Sequence, residues 1–249
     1  MVGKRQAGFT IVEITLFLGI TGLLFMVALV GTGNTIRTFR FTDSGRSLES
    51  FAQKQYDDVI NGLNNRSASV SCNSGTIDTG TPQVIGSSNC LLIGKLVVFR
   101  SGNPTVNIYN VIGSEPANVN YSLGDDALIT AFQPQVVTAT ATSTYLIPWG
   151  ASPSGFKRTS DNVAANGLLL IRSPKSSRIV SYTFVVPTTV PTSLTTTVSN
   201  AVNRAQLTNF CIKNGDGLGL PARLEISGGA SQSAAKVIFN AADTECNGV

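Results

Sequence analysis

The chain has 249 residues, of which 42% are hydrophobic, 13% charged and 7% aromatic, and its formal net charge is +4. Histidine is absent, which excludes Ser-His-Asp and Cys-His catalysis, H-E-x-x-H metalloproteases and every histidine-containing zinc site. The length suffices for one large or two modest domains with a buried core, and the excess hydropathy lies mostly in one N-terminal block.

Residues 1–8, MVGKRQAG, form a short basic lead, and residues 9–31 read FTIVEITLFLGITGLLFMVALVG, with Glu13 as the single charge. At 1.5 Å per residue such a helix reaches roughly 35 Å, enough to cross a hydrocarbon layer of about 30 Å. Apolar residues fall on all its faces, where a soluble core helix keeps a polar stripe. Lys4 and Arg5 precede the run, so the positive-inside rule predicts a cytoplasmic N-terminus and export of the residues beyond the span. A cleaved secretory signal fits poorly: it would end at a small-x-small site, whereas TGNTIRTF comes next here.

Glu13 is the anomaly. A carboxylate at mid-membrane costs about 2.5–3.5 kcal/mol on insertion scales, and embedded acids usually face a partner. It lies one helical turn past Phe9, where a cut after Gly8 would create a new N-terminus. The α-amine freed there is the natural counter-charge, in the same chain or a neighbour, and the helix dipole adds a smaller favourable effect.

With Gly8-Phe9-Thr10-Ile11-Val12-Glu13 behind a basic leader and ahead of an apolar helix, the chain resembles the type IV prepilins, whose signature is G-F-T-[LI]-[IV]-E. The resemblance covers only the N-terminal segment. It implies that a membrane prepilin peptidase cuts between Gly8 and Phe9 and methylates the Phe9 amine. Glu13 would then pair with the amine of an adjacent subunit as the helices pack into a filament. The implied partners are other pilin subunits, the peptidase, an assembly platform and, before assembly, membrane lipid; no cofactor or metal is implied. The plainer alternative is a single-pass anchor in which Glu13 snorkels to the interface.

Past Gly31 the apolar spacing continues through Ile36, Phe39, Leu48, Phe51, Ala52, Tyr56, Val59, Ile60 and Leu63. Arg37, Arg40, Glu49, Lys54, Asp57 and Asp58 fall between them. That pattern predicts an amphipathic helix over 32–64, ended by Asn61-Gly62-Leu63-Asn64-Asn65. Pilins are built on such a helix, half in lipid and half under a domain. Gly19, Gly22, Gly31, Gly33 and Gly45 each cost about 1 kcal/mol in a helix relative to alanine. In the first three, close helix packing or local melting during assembly stands against the ordinary use of small residues in membrane helices.

Residues 65–249 turn to Ser, Thr, Asn, Val and Gly. Segments 91–98 and 106–112 flank Ser101-Gly102-Asn103-Pro104 and predict one hairpin; 167–172 and 178–186 flank residues 173–177 and predict a second. Segments 206–212, 222–227 and 235–240 come after them as strands. The fold expected is α+β: a long N-terminal helix on a mainly antiparallel sheet. The Thr-rich stretches 136–144 and 188–197 fit either edge strands or surface loops.

Cys72, Cys90, Cys211 and Cys246 all lie beyond the apolar span, on its predicted outer side, which favours disulfides. Three connectivities are open; Cys72–Cys90 with Cys211–Cys246 is preferred because each pair closes a local loop. The second bridge is loosely similar to the C-terminal disulfide loop of many pilins. A four-cysteine zinc site lacks any C-x-x-C pair.

Chemical motifs are weak. Ser154-Gly155-Phe156-Lys157 and Ser160-Asp161-Asn162 match S-x-x-K and S-D-N, but they nearly overlap, no K-T-G comes after them, and a polar loop is the better expectation. Asp125-Asp126 reads as a turn, and Asp216 has no spaced acidic companions for calcium. No phosphate-binding glycine loop is present, and no enzyme activity is expected. Lys157, Arg158, Arg172, Lys175 and Arg178 make 157–178 the most basic exported stretch, a patch for DNA phosphates or an anionic surface if they cluster. Sequons at Asn65 and Asn120 carry little weight outside a eukaryotic secretory route.

The expected organisation is a leader (1–8), a membrane and filament-core helix (9–31), its amphipathic continuation (32–64) and an exported head (65–249). The function implied by the resemblance is that of a structural subunit of a type IV pilus or a related secretion or DNA-uptake filament. The size of the head favours a minor pilin or pseudopilin. The competing expectation is a membrane-anchored binding or adhesin domain that does not polymerise.

Overall fold

The computed structural model describes residues 8–62, 71–73, 76–78, 90–137, 141–158, 163–204, 207–215, 220–227, 235–240 and 246; for Val30, 71–73, 76–78 and Cys90 the description is of the backbone alone. The chain divides into two units, Met1–Thr42 and Asp43–Val249. Helix α1 (Ile11–Ile60), 50 residues long, contributes to both.

In the first unit α1 carries no charge besides Glu13 as far as Gly31, with Arg37 and Arg40 beyond it. Its most apolar window has a mean hydropathy of 2.4 with no part buried, and the helix is long and apolar enough to cross a membrane. The threonines do not break this character, because their hydroxyls are satisfied inside the helix. Thr21 donates to the Phe17 carbonyl at 2.8 Å and Thr32 to the Ala28 carbonyl at 2.7 Å, the way hydroxyls are accommodated where water is absent. Ile36 and Phe39, expected on the buried stripe of the amphipathic part, are instead exposed.

In the second unit, Leu48, Phe51, Ala52, Tyr56 and Val59 are buried as the periodicity predicts. Asp58, expected between the apolar positions as a surface charge, is buried too. The helix ends at Asn61–Gly62, where Asn61 N–H reaches the Asp57 carbonyl and Gly62 N–H the Val59 carbonyl.

The chain continues through β1 (Ser71–Asn73), β2 (Thr76–Asp78), β3 (Cys90–Arg100), β4 (Asn103–Ser114), α2 (Asp125–Ala131), β5 (Gln135–Val136), β6 (Ser143–Leu146) and β7 (Ser152–Arg158). Then come β8 (Gly167–Arg172), β9 (Ile179–Phe184), α3 (Thr195–Ser199), β10 (Leu207–Lys213), β11 (Ala222–Ser227) and β12 (Ala235–Ile238). Among the described residues, besides the β1–β2 pair, there are two antiparallel sheets: β5-β4-β3-β8-β9 with β6 also on β4, and β12-β11-β10-β7. Both predicted hairpins form. The first turns on Ser101–Gly102, with Gly102 at φ +72°, where a side chain would be strained.

The larger sheet is buried on both faces, which is why β8 reads as a nearly continuous apolar run, while β9 buries Ser181 and Thr183 among its apolar residues. One face packs Val98, Leu169, Ile171 and Tyr182 in one core with Ile129 of α2 and Leu194 and Val198 beside and in α3. Onto the other come α1 and the smaller sheet. Phe51 of α1 stacks on Tyr145 of β6 at 4.1 Å, and Phe99 of β3 meets Phe210 of β10 at 4.5 Å.

Several expectations change. Residues 154–157, read as a polar loop, lie in β7, an edge strand. Its Pro153 is tolerable there, at a register shift against Cys211/Ile212. Asp125-Asp126 open α2 rather than a turn. The stretch 136–144 supplies part of β5 and β6, whereas 188–197 holds a loop and the start of α3.

Candidate functional site

The α1 N-terminus is built by four residues. Thr10 is non-helical and Ile11 begins the helix, so Glu13 stands at the third helical position. The Thr10 hydroxyl accepts the Glu13 N–H at 3.3 Å and donates to Glu13 Oε2 at 3.1 Å, and Oε2 also accepts the Thr10 N–H at 3.1 Å. This is a reciprocal capping box, encoded by T-x-x-E. It satisfies two of the backbone N–H groups that a helix start leaves orphaned. Glu13 therefore sits in an apolar surface with one oxygen already occupied by its own chain. The sequence-predicted processing residues lie just upstream: Gly8 and Phe9 precede the helix, and Phe9 is 82% exposed. Residues 1–7 lie outside the described residues.

The five basic residues do not form one patch. Arg158 is buried, with Nη1 donating to the Thr183 carbonyl at 3.0 Å and to Asn203 Oδ1 at 3.3 Å. Thr183 lies about 16 Å along β9 from Arg178, at 3.3 Å per residue. Lys157 therefore stays with β7, opposite Asn209, while Arg172, Lys175 and Arg178 stay at the β8–β9 turn. At that turn two of the cations are held by neutral oxygens: Arg172 Nη2 donates to Ser177 Oγ at 3.2 Å and Lys175 Nζ to the Leu123 carbonyl at 3.1 Å.

Asp125 and Asp126 point apart. Asp125 accepts Ser173 Oγ at 2.6 Å and Ser176 Oγ at 3.0 Å; Asp126 accepts the Tyr182 hydroxyl at 2.9 Å and pairs with Arg204. The Ser173 bond holds the Asp125 carboxyl below the usual range against the opposing effect of burial, with help from Ser176, Arg178 and Lys175. Burial, then the Asp126 charge, pushes the Tyr182 hydroxyl up. The two carboxylates thus pin α2 to β9 and its turn and do not converge on a common point.

One buried polar cluster carries no sequence signal. Lys95 of β3 donates to Asp58 Oδ2 at 2.6 Å and to Gln55 Oε1 at 3.2 Å, while Lys54 reaches both Asp58 oxygens at 3.0 and 3.1 Å. Burial alone would raise the Asp58 pKa; the bonds and charges of Lys95 and Lys54 outweigh it and hold the group low. A lysine inside the apolar run of β3 and an aspartate in the last turn of α1 belong to no common motif, so only packing reveals the pair.

Cys211 and Cys246 are joined, closing a loop of sequence separation 35. The pairing expected for Cys72 and Cys90 lies outside the described side chains, as do Ser160-Asp161-Asn162 and Asp216. Ser154 and Lys157 are three residues apart on extended β7, about 10 Å between backbone positions. Among the described residues no three His, Cys, Asp or Glu side chains are grouped to hold a metal. A shallow groove beside Ala235 is lined by Arg46, Glu49, Ser50, Gln53, Lys54 and Asp57 of α1, a charged helix face of mixed sign. No protein-family model, curated protein or solved structure matches the chain. The features it displays by itself are an apolar helix of membrane-spanning length, antiparallel sheets and one disulfide-closed C-terminal loop.

Proposed function

We propose that the chain is a structural subunit of a type IV pilus or a pilus-like filament, a minor pilin or pseudopilin of a secretion or DNA-uptake machine. A prepilin peptidase removes residues 1–8 and methylates the Phe9 amine. The precursor waits in the bacterial cytoplasmic membrane, N-terminus inside and head outside, until an assembly platform moves it into an extracellular filament with other subunits. Its work is assembly rather than catalysis. The observation that carries this reading is Glu13, one turn past Phe9 and the single charge in the span 9–31, whose most apolar window is uncovered. An uncovered surface of that size demands lipid or a packed neighbour.

The competing reading, a membrane-anchored binding domain that does not polymerise, is favoured by one observation. The Thr10 box already meets part of the polar demand of Glu13 in its own chain. Intact-mass and N-terminal analysis of the mature full-length protein separates the two. Phe9 as the methylated first residue is expected; an intact Met1 end refutes the filament subunit and leaves the anchor.

A further inference from the structure

The turn that follows β6 holds a tryptophan outward under strain. Trp149 has φ +59°, in the left-handed region that bulky residues seldom adopt, so its surroundings must keep it there. They do so from α1. Ser44 Oγ donates to the Pro148 carbonyl at 2.8 Å, and Trp149 Nε1 donates to Asp43 Oδ2 at 2.7 Å. Ser47 Oγ and the Tyr145 hydroxyl share a bond of 2.8 Å, and the Tyr145 ring stacks on Phe51. All these residues belong to the second unit. Pinning of this kind would suit a buried indole, yet Trp149 is 54% exposed and Leu146 beside it 65% exposed. Asp43 meets the polar end of the indole, so the side-chain surface the two residues leave outside is largely hydrocarbon.

We propose that the Leu146–Trp149 turn is a membrane-contact site, resting at the headgroup–acyl boundary of the bilayer that anchors α1. Tryptophan is suited to that layer, where an apolar body and a polar tip are both satisfied. The covalent tether is short. Arg37 is the first charge past Glu13, and a cation just beyond an apolar span belongs at headgroup level. Asp43 follows six residues on (37 to 43), about 9 Å of helix. Side chains on a helix lean toward its N-terminus, so a turn hung on Asp43, Ser44 and Ser47 hangs from the end of the second unit at which the chain leads back to the apolar run. The inference rests on the membrane anchoring common to both readings of the function, and filament assembly does not enter it. It adds a second point of attachment, which restricts how the head can turn about its anchor before assembly.

The test uses the full chain in vesicles of phosphatidylcholine and phosphatidylglycerol, the former either plain or brominated on its acyl chains. Trp149 is the chain's one tryptophan, so quenching by bromine reads this turn alone. Expected are flotation with the vesicles and loss of most of the emission with bromine near the headgroup end of the acyl chain, less with bromine near the bilayer centre. Leu146→Asp, at an exposed position, should float equally and lose most of the quenching. A floated chain with the same emission in brominated and plain vesicles overturns the contact and leaves the anchor standing. Emission that shifts to the blue as protein density rises, without quenching by bromine, overturns it too, because a second copy then covers the turn. So does quenching that Leu146→Asp leaves unchanged, since insertion would owe nothing to the apolar pair. A chain that fails to float sinks the anchor itself, and this inference with it.

Discussion

Asp58→Ala should be among the most damaging single substitutions in the second unit. It leaves the Lys95 ammonium, 8% exposed, with Gln55 Oε1 at 3.2 Å as its one remaining partner in the cluster. Stranding one member of a buried ion pair costs about 3–5 kcal/mol. Lys95→Met should cost less, about 1–2 kcal/mol, because Asp58 keeps Lys54, whose side chain is 66% exposed and brings water with it. The double variant Asp58→Leu/Lys95→Met should recover most of the loss, since an apolar pair of similar volume removes both desolvation penalties. The pH dependence has a fixed sign. The folded pKa of Asp58 is depressed, so its contribution is complete above the unfolded value of about 3.9 and is lost as pH falls through the folded value. Urea denaturation of the full chain in detergent measures this. The fluorescence of Trp149 serves as the probe: it is the chain's one tryptophan and its Nε1 donates to Asp43 at 2.7 Å. Equal, small losses in Asp58→Ala and Lys95→Met, or a double variant no better than Asp58→Ala, would refute the ordering of these terms.

Two further predictions use the same transition. Gly45→Ala gains about 1 kcal/mol of helix propensity, but its Cβ would stand 2.6 Å from the Phe239 ring and 3.1 Å from Val237. Overpacking of about 1–3 kcal/mol should win and lower the midpoint, whereas Gly19→Ala, with open space around it, should leave that midpoint unmoved; a stabilised Gly45→Ala would show that the ring yields freely. Replacing Cys211 and Cys246 by Ser should cost about 4 kcal/mol by loop-closure entropy for a separation of 35, read as a lowered midpoint of the double variant under oxidising conditions; an unchanged midpoint would show that the bridge adds nothing.

The elements legible in the sequence share a local cause. The two hairpins announce themselves because apolar runs flank turn residues at the right spacing, and α1 because its periodicity runs for many turns. Strand β7, Ser-Pro-Ser-Gly-Phe-Lys-Arg, has a loop's composition. It is extended because β10 needs a partner on its free side and because Phe156 and Arg158 turn inward, toward Phe210 and Thr183. Helices α2 and α3 span 7 and 5 residues, too short for a periodic signal, and they hold because Leu128, Ile129 and Val198 are buried. The basic run 157–178 is contiguous in sequence, but strand β8 lies between its two ends and carries them apart. Within the N-terminal site, Gly8, Phe9 and Glu13 stand out by charge and position. Thr10 belongs to the same motif, but its bonds to Glu13 show only once the helix start is built.

One segment of chain, read alone, is enough to specify an apolar helix of membrane length, the one acid inside it, and the strands whose turns lie next to them. Packing settled the rest. Among the described residues the strands of the head divide between separate sheets where one was expected, Lys95 and Asp58 found each other 37 residues apart, and Arg158 left the surface for the Thr183 carbonyl. The physical reason is that burial makes every polar group seek a partner wherever the packed chain supplies one, and sequence distance does not enter that search.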